Sequence, residues 1–397
     1  MLGELIMNIP SLFPVTVVGS WPRPRWLLEA LRKRREGAIS QEEFDSIADE
    51  AVLLAVKYQE DAGVDILSDG EQRRDNFYSF IAGKVYGVEL KSVAEIVDLV
   101  PDKSRFETLL RSLDVPAYSI RNPVVTSKLR VGPRGIARDE ASFLKDHTTR
   151  LIKVPLPGPY LLTRSSWVPG ISDRYYQSRE DLGFEYAKIL REEIIALRDL
   201  GAFFVQLDEP VLTEVVYGPD QSQQTFMCAA LFSRRNPREE LEFAVELINE
   251  TVKGISGIKT GIHVCRGNWS RREEVLLKGD YVPLMPYLAE TKVDQLVLEF
   301  ETPRAGDVEA LRDYIGDKEL GYGVVNPRTD DVESPQEIIL KVNKILRFMD
   351  AKKIYLNPDC GFGTFAEAPV NTPKTAFKKL RSMRIAAEEL RKLYGEK

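Results

Sequence analysis

The sequence predicts an α/β protein built as a (β/α)8 TIM barrel with insertions over its C-terminal mouth. Three observations predict it. Eight apolar β runs alternate with amphipathic helical stretches, the pattern of parallel strands joined by helical crossovers. Polar and metal-ligating side chains stand at the C-terminal end of nearly every run, and a barrel gathers those ends at one mouth. The chain's 397 residues are enough for one large barrel. A doubly wound open sheet shares the alternation and is the competing architecture.

The elements follow in order. Val15–Ser20 is a β-branched run ending in a Gly-Ser turn. Residues 41–63 repeat apolar positions at three and four and end in glycine, which predicts an amphipathic helix with a glycine stop. Val64–Gly70 is the second run. From about 78 to 146 the rhythm breaks, and RFETLLRSLDVPAYSIRNPVVTSKLRVGP reads as an excursion over the mouth with strands of its own. The alternation resumes with Ile152–Gly158, a helix over 182–202 and the run Ala202–Pro210. Residues 218–235 form a second long loop. A helix over 237–255, the runs Lys259–Cys265, Asp294–Glu301 and Leu320–Asn326, a helix over 334–352 and the run Lys353–Cys360 complete the set. The whole of 1–397 is expected to be a single catalytic barrel.

Composition narrows the function. A net charge of −6 argues against nucleic acid, whose phosphates need a basic field. The basic run Arg32–Arg35 reads as a solvated helix face. No apolar run approaches the ~20 residues of a membrane helix, and the apolar start has neither a basic n-region nor a small-residue cleavage site. Three cysteines do not form a disulfide framework. A reducing, cytoplasmic location is expected.

Two histidines and three cysteines are present, and three of these five residues fall in two places. In GIHVCRGNW, His263 and Cys265 stand two apart at a strand end and so share a face. Cys360 lies in NPDCGFG at the end of another run, where Pro, Asp and two glycines argue against simple core packing. Two sulfurs and an imidazole form a soft, zinc-preferring set. Zinc usually takes four ligands. Glu299 and Glu301 close one run and, two apart on a strand, point to the same face, so either supplies an oxygen; Glu299 is favoured because it directly follows the apolar stretch. Pairing with Arg304 is the alternative role for both.

Other candidates surround this set. Asp208 and Glu209 follow a buried run and precede Pro210. An acid there binds an ammonium or orients a metal ligand, or else caps the next helix. Glu71 in SDGEQRRD has a similar place, with Arg73 or Arg74 as the structural partner. Amides of the turn at Ser20 suit a carboxylate. Trp21, Trp167 and Trp269 fall in mouth loops, where they stack on a flat ligand or simply pack. His147 reads as a surface residue and Cys228 as packing.

Taken together, VVGS, SDGEQRRD, VQLDEP, HVC and NPDCGF resemble, in order, the catalytic half of cobalamin-independent methionine synthase. The resemblance covers most of 15–393. It implies zinc on His263, Cys265, Glu299 and Cys360. It also implies that Glu71 and Asp208 hold the amino group of homocysteine, with Ser20 near its carboxylate. The family's extra N-terminal barrel has no counterpart in these 397 residues, and HVCRGNW is closer to its short, single-barrel relatives. The expected activity is zinc-dependent methyl transfer to the thiol of homocysteine, forming methionine. The donor is methyl-folate, its methanopterin analogue or a methyl-corrinoid protein. The alternatives are a zinc-dependent thiol alkyltransferase acting on another thiol such as coenzyme M, and a non-catalytic barrel with structural zinc. Ligands spread over three strand ends favour catalysis, and the two acids favour an amino thiol.

Overall fold

Val15 and Thr16 decide the architecture. A computed structural model describes residues 9–92, 95, 121–218 and 236–395. Its strands are β1 (Ile66–Leu67), β2 (Val85–Ser92), β3 (Arg121–Val131), β4 (Leu151–Pro157), β5 (Phe204–Asp208), β6 (Lys259–Val264), β7 (Gln295–Leu298), β8 (Glu319–Val325) and β9 (Ile354–Pro358). Seven of them form one parallel sheet in the order β1-β4-β5-β6-β7-β8-β9. Its two edges are joined by the first run of the chain, since Val15 bridges Leu356 of β9 and Thr16 bridges Ile66 of β1. An open sheet would leave those edges apart. The ring is closed, and the barrel expectation holds.

The helices start and stop where their caps dictate. They are α1 (Arg25–Arg35), α2 (Gln41–Ala62), α3 (Arg138–Asp146), α4 (Pro159–Ser166), α5 (Arg179–Asp199), α6 (Val211–Tyr217), α7 (Pro237–Val252), α8 (Met285–Glu290), α9 (Pro335–Ile345) and α10 (Pro373–Tyr394). The Ser40 hydroxyl accepts the amide of Glu43 to open α2, and Gly63, at φ 86°, closes it in the left-handed region. Ser334 and Glu337 form a reciprocal capping box on α9. The basic end of α1 is solvated apart from Arg34, whose guanidinium covers the Phe44 ring.

Within the expected excursion, β2 and β3 pair antiparallel, with an irregularity between Tyr86 and Val88. They are tied to the barrel through Ser172, whose hydroxyl donates to the Val125 carbonyl, and through Tyr176, whose hydroxyl accepts the amide of Leu129. The stretch 96–120, most of the second long loop and Cys228 lie outside the described residues.

The first strand is held mainly by side chains. The Asp65 carboxylate, buried at the base, accepts the amide of Val15 at 2.9 Å and pairs with Arg384 and Arg391 of α10, each at 2.8 Å. Arg391 also donates to the carbonyls of Leu12 and Phe13. The last helix therefore clamps the first strand through one acid. Asp65→Ala should remove one acid partner from each of two arginines and leave the Val15 amide unpaired, and lower stability by about 2–3 kcal/mol. Urea unfolding would measure this, and a loss below about 0.5 kcal/mol would refute the clamp.

Candidate active site

The strand alternation places His263 and Cys265 together, and β9 brings Cys360 to meet them. Their ligand atoms lie within 4.8 Å of one another, and all three residues are buried. The carbonyl of Val297 accepts from Nδ1 of His263 at 3.0 Å. That contact puts a proton on Nδ1 and turns Nε2 toward Cys360 Sγ, 3.5 Å away. The Cys360 thiol, backed by His263, draws Cys265 well below the usual thiol range, while Cys265 and burial push Cys360 above it. Two sulfurs and an imidazole nitrogen in one buried cluster could hold a divalent cation that prefers sulfur and nitrogen ligands.

Glu299 adjoins this cluster but is not one of the three converging residues. It is fully buried, and its Oε2 lies 3.3 Å from Arg304 Nη2. Its Oε1 lies 3.6 Å from Arg266 Nη1 and has no hydrogen-bond partner. Burial opposes its charge, yet Arg304, Arg266 and Arg328 outweigh that and hold the carboxyl below its ordinary range. Glu301 belongs elsewhere: it pairs with Lys341, and burial pushes it up to about 7. The expected sharing of one face by the two acids does not hold, because strand pairing ends at Leu298 and the alternation stops with it. Arg304 accordingly pairs with Glu299, not Glu301.

The other half of the cavity is acidic. Val18, Ser20, Glu71, Asp208, His263, Cys265 and Cys360 line one pocket. Glu71 sits at φ 54°, directly after Gly70 at φ 71°, a left-handed pair that turns its side chain inward. A Cβ on Gly19 would come within 2.2 Å of the Glu71 carboxylate, so only glycine leaves room for the acid there. The two arginines expected to neutralise Glu71 are bonded elsewhere. Arg74 forms a buried pair with Glu140 and donates to the Pro155 carbonyl, and Arg73 pairs with Asp49. Burial pushes Glu71 up to about 7, against the pull of Arg74 and with the push of Asp208. Burial likewise lifts Asp208 to about 6. The helix-capping role belongs to Glu209, which accepts the amides of Tyr160 and Leu161 at the start of α4 rather than capping the next helix.

Ser20 is locked to the turn that follows Cys360. The amide of Phe362 donates to the Ser20 carbonyl at 2.9 Å, and a Cβ on Gly361 would meet the Ser20 hydroxyl at 2.1 Å. Trp269 lines the cavity, whereas Trp21 packs between Tyr58 and Phe362 and Trp167 ends α4 half-buried. His147 is exposed and stacks on Phe143. Sequence reasoning missed the cavity residues Phe77, Tyr78, Asn268, Thr364 and Phe365. An aromatic pair six and seven residues beyond the strand-end acid Glu71 was the available signal for the first two. It also missed Arg266 and Arg328, which become informative only when three separate loops meet over Glu299.

A closed parallel barrel whose mouth gathers a buried thiol–imidazole cluster and two acids in one pocket has the layout of an enzyme barrel with a place that could hold a metal ion. The family described as "Cobalamin-independent synthase, Catalytic domain" matches residues 13–389. A methionine synthase of Saccharolobus islandicus (strain L.S.2.15 / Lassen #1) is 32% identical over 391 residues, 97% of this chain and 98% of its own. The methionine synthase of Sulfolobus acidocaldarius is 29% identical, over 96% of this chain and 94% of its own. Among solved structures, a B12-independent methionine synthase from Shewanella sp. W3-18-1 in complex with selenomethionine superposes with a TM-score of 0.72 at 24% identity, over 96% of this chain and 98% of that one. The chain belongs to the cobalamin-independent methionine synthase family. No helix among the described residues is long and apolar enough to cross a membrane.

The raised Glu71 value has a signed consequence. A carboxyl whose folded value exceeds its ordinary 4.5 favours folding fully below that value, and the contribution is lost as pH rises through about 7. Glu71→Gln should therefore gain on the wild type, by about 1–3 kcal/mol, between pH 4.5 and 8. Urea unfolding of both proteins across that range checks it; a pH-independent difference would contradict the assignment.

Proposed function

We infer that the chain is a zinc-dependent methyltransferase that forms methionine from homocysteine. The observation that carries this reading is the pairing, in one cavity, of a His/Cys/Cys cluster with two buried acids that have no hydrogen-bonded cation. Zinc would be held by His263, Cys265, Cys360 and Glu299, where the orphaned Oε1 of Glu299 supports the fourth place. When bound, it supplies a substrate thiol in its thiolate form near neutral pH. The residues around it do the rest. Glu71 and Asp208 receive the substrate ammonium, which relieves their mutual repulsion. The turn at Ser20 receives the carboxylate. Phe77, Tyr78, Trp269 and Phe365 keep water from the reacting sulfur. The sulfur takes the methyl group, and the donor leaves with the bonding electrons.

The donor is methyl-folate, a methanopterin analogue or a methyl-corrinoid protein. Residues 1–397 act as one catalytic barrel, with the insertion at about 78–146 reaching the cavity at its first residue, Tyr78, in the cytoplasm and without nucleic acid. The names of the Saccharolobus and Sulfolobus relatives support the reaction.

Purified protein should carry about one zinc per chain. Cys265→Ser and Cys360→Ser should each lower zinc affinity at least about tenfold in chelator competition. Glu299→Ala should weaken it more than Glu301→Ala. Undiminished affinity in Cys360→Ser would sink the site.

Incubation with L-homocysteine and each donor in turn, with methionine quantified, tests the reaction. Asp208→Asn should cut kcat/KM for homocysteine roughly ten- to a hundred-fold by weakening a charge-assisted hydrogen bond, and leave zinc in place. A wild-type preference for 2-mercaptoethanesulfonate would replace this reading with a thiol alkyltransferase.

A further inference from the structure

Gln206 is buried in the middle of β5, two residues before Asp208, and both side chains point into the barrel. Its Nε2 carries two hydrogens, and both are used. One goes to Asp208 Oδ1 at 2.7 Å and the other to the carbonyl of Val18 at 3.1 Å. Val18 stands two residues before Ser20, on a strand whose backbone pairing has already ended at Thr16. A single uncharged amide thus joins the acid assigned to the substrate's ammonium to the turn assigned to its carboxylate. Its Oε1 is buried without a partner, so the group is held by its donor contacts alone.

The choice of an amide has a physical reason. Lysine or arginine at this place would also hold Asp208, but would neutralise the charge that an ammonium needs. An acid would repel Asp208. Glutamine fixes the direction of the carboxylate and leaves its charge in place. Two other elements hold the rest of the segment: Lys153 Nζ of β4 donates to the Val17 carbonyl at 2.8 Å, and Ser68 Oγ, just past β1, donates to the Gly19 carbonyl at 2.8 Å.

We propose that Gln206 is a positioning residue that sets the distance between the ammonium and carboxylate subsites, and so makes the site selective for an α-amino-acid thiol. This rests on the homocysteine reading above and goes beyond it by assigning the selectivity to a residue outside the substrate's reach.

The test is isothermal titration of zinc-loaded protein with L-homocysteine and with 2-mercaptoethanesulfonate. Gln206→Met should weaken homocysteine binding about tenfold, the worth of one misdirected charge-assisted bond. It should change the amine-free thiol less than about twofold and leave zinc content unaltered. Should Gln206→Met fail to fold, the smaller Gln206→Leu also removes both donors and should give the same pattern. Equal losses for both thiols would reduce Gln206 to a general packing residue and overturn the proposal, as would no loss for either. A wild-type protein that does not bind homocysteine refutes the functional reading itself, a result separate from unchanged selectivity in the variants.

Discussion

The carboxylate of Asp359 is the constraint on which the rest of the site depends. It stands at the end of β9, immediately before Cys360, and accepts three successive amides, those of Phe300, Glu301 and Thr302, at 2.9, 2.9 and 3.2 Å. Those amides belong to the loop that carries Glu299. Its own amide donates to the Val325 carbonyl of β8. One residue therefore fuses the strand ends bearing Cys360 and Glu299 into a unit, in a place where unpaired amides would be costly. Burial and the nearby Glu299 push Asp359 up to about 6, and Arg328 pulls it back. Two adjoining buried carboxylates require cations, and this explains the arginines. Arg328 is pinned by Glu273 and Asn268, Arg266 lies 3.8 Å over the Tyr281 ring, and Arg304 donates to the Gly267 carbonyl.

The two ends of the barrel manage polar burial differently. At the base, charges are matched: Asp65 has two arginines, and Glu319 has Lys259. At the mouth, among the described residues, buried atoms of Asp69, Glu71 and Glu299 have no hydrogen-bond partner. Such atoms cost stability, and native proteins keep few of them. Their concentration at the strand ends, together with the left-handed backbone of Glu71, marks the end where folding has been compromised for binding.

Much of this was legible in the sequence. Alternating runs and capped helices gave the barrel, and strand periodicity brought His263 to Cys265, because both features are local. Cys360, Glu71, Asp208 and Ser20 were legible as strand-end polar residues, and the barrel supplied their meeting point. What failed was local reasoning carried past a strand's end: Glu299 and Glu301 face different surroundings because pairing stops at Leu298. The arginines around Glu299, the Asn268 bridge to Gly361 and the role of Glu209 at α4 were not legible, since each joins segments far apart in the chain.

The first strand shows how fold and site are linked. VTVVGS reads as an ordinary β run, yet among the described residues only Val15 and Thr16 bridge neighbouring strands. The next three carbonyls are taken by side chains: Lys153 for Val17, Gln206 for Val18 and Ser68 for Gly19. A strand paired to its end would follow its neighbours in register and leave no space beside Gly19 for the Glu71 carboxylate. Held from within, the segment is free to diverge, so that Gly19 lies against Glu71 and Ser20 against Gly361. The polar residues inside the barrel thus do the work of sheet hydrogen bonds, and the departure from regular pairing is what creates the cavity.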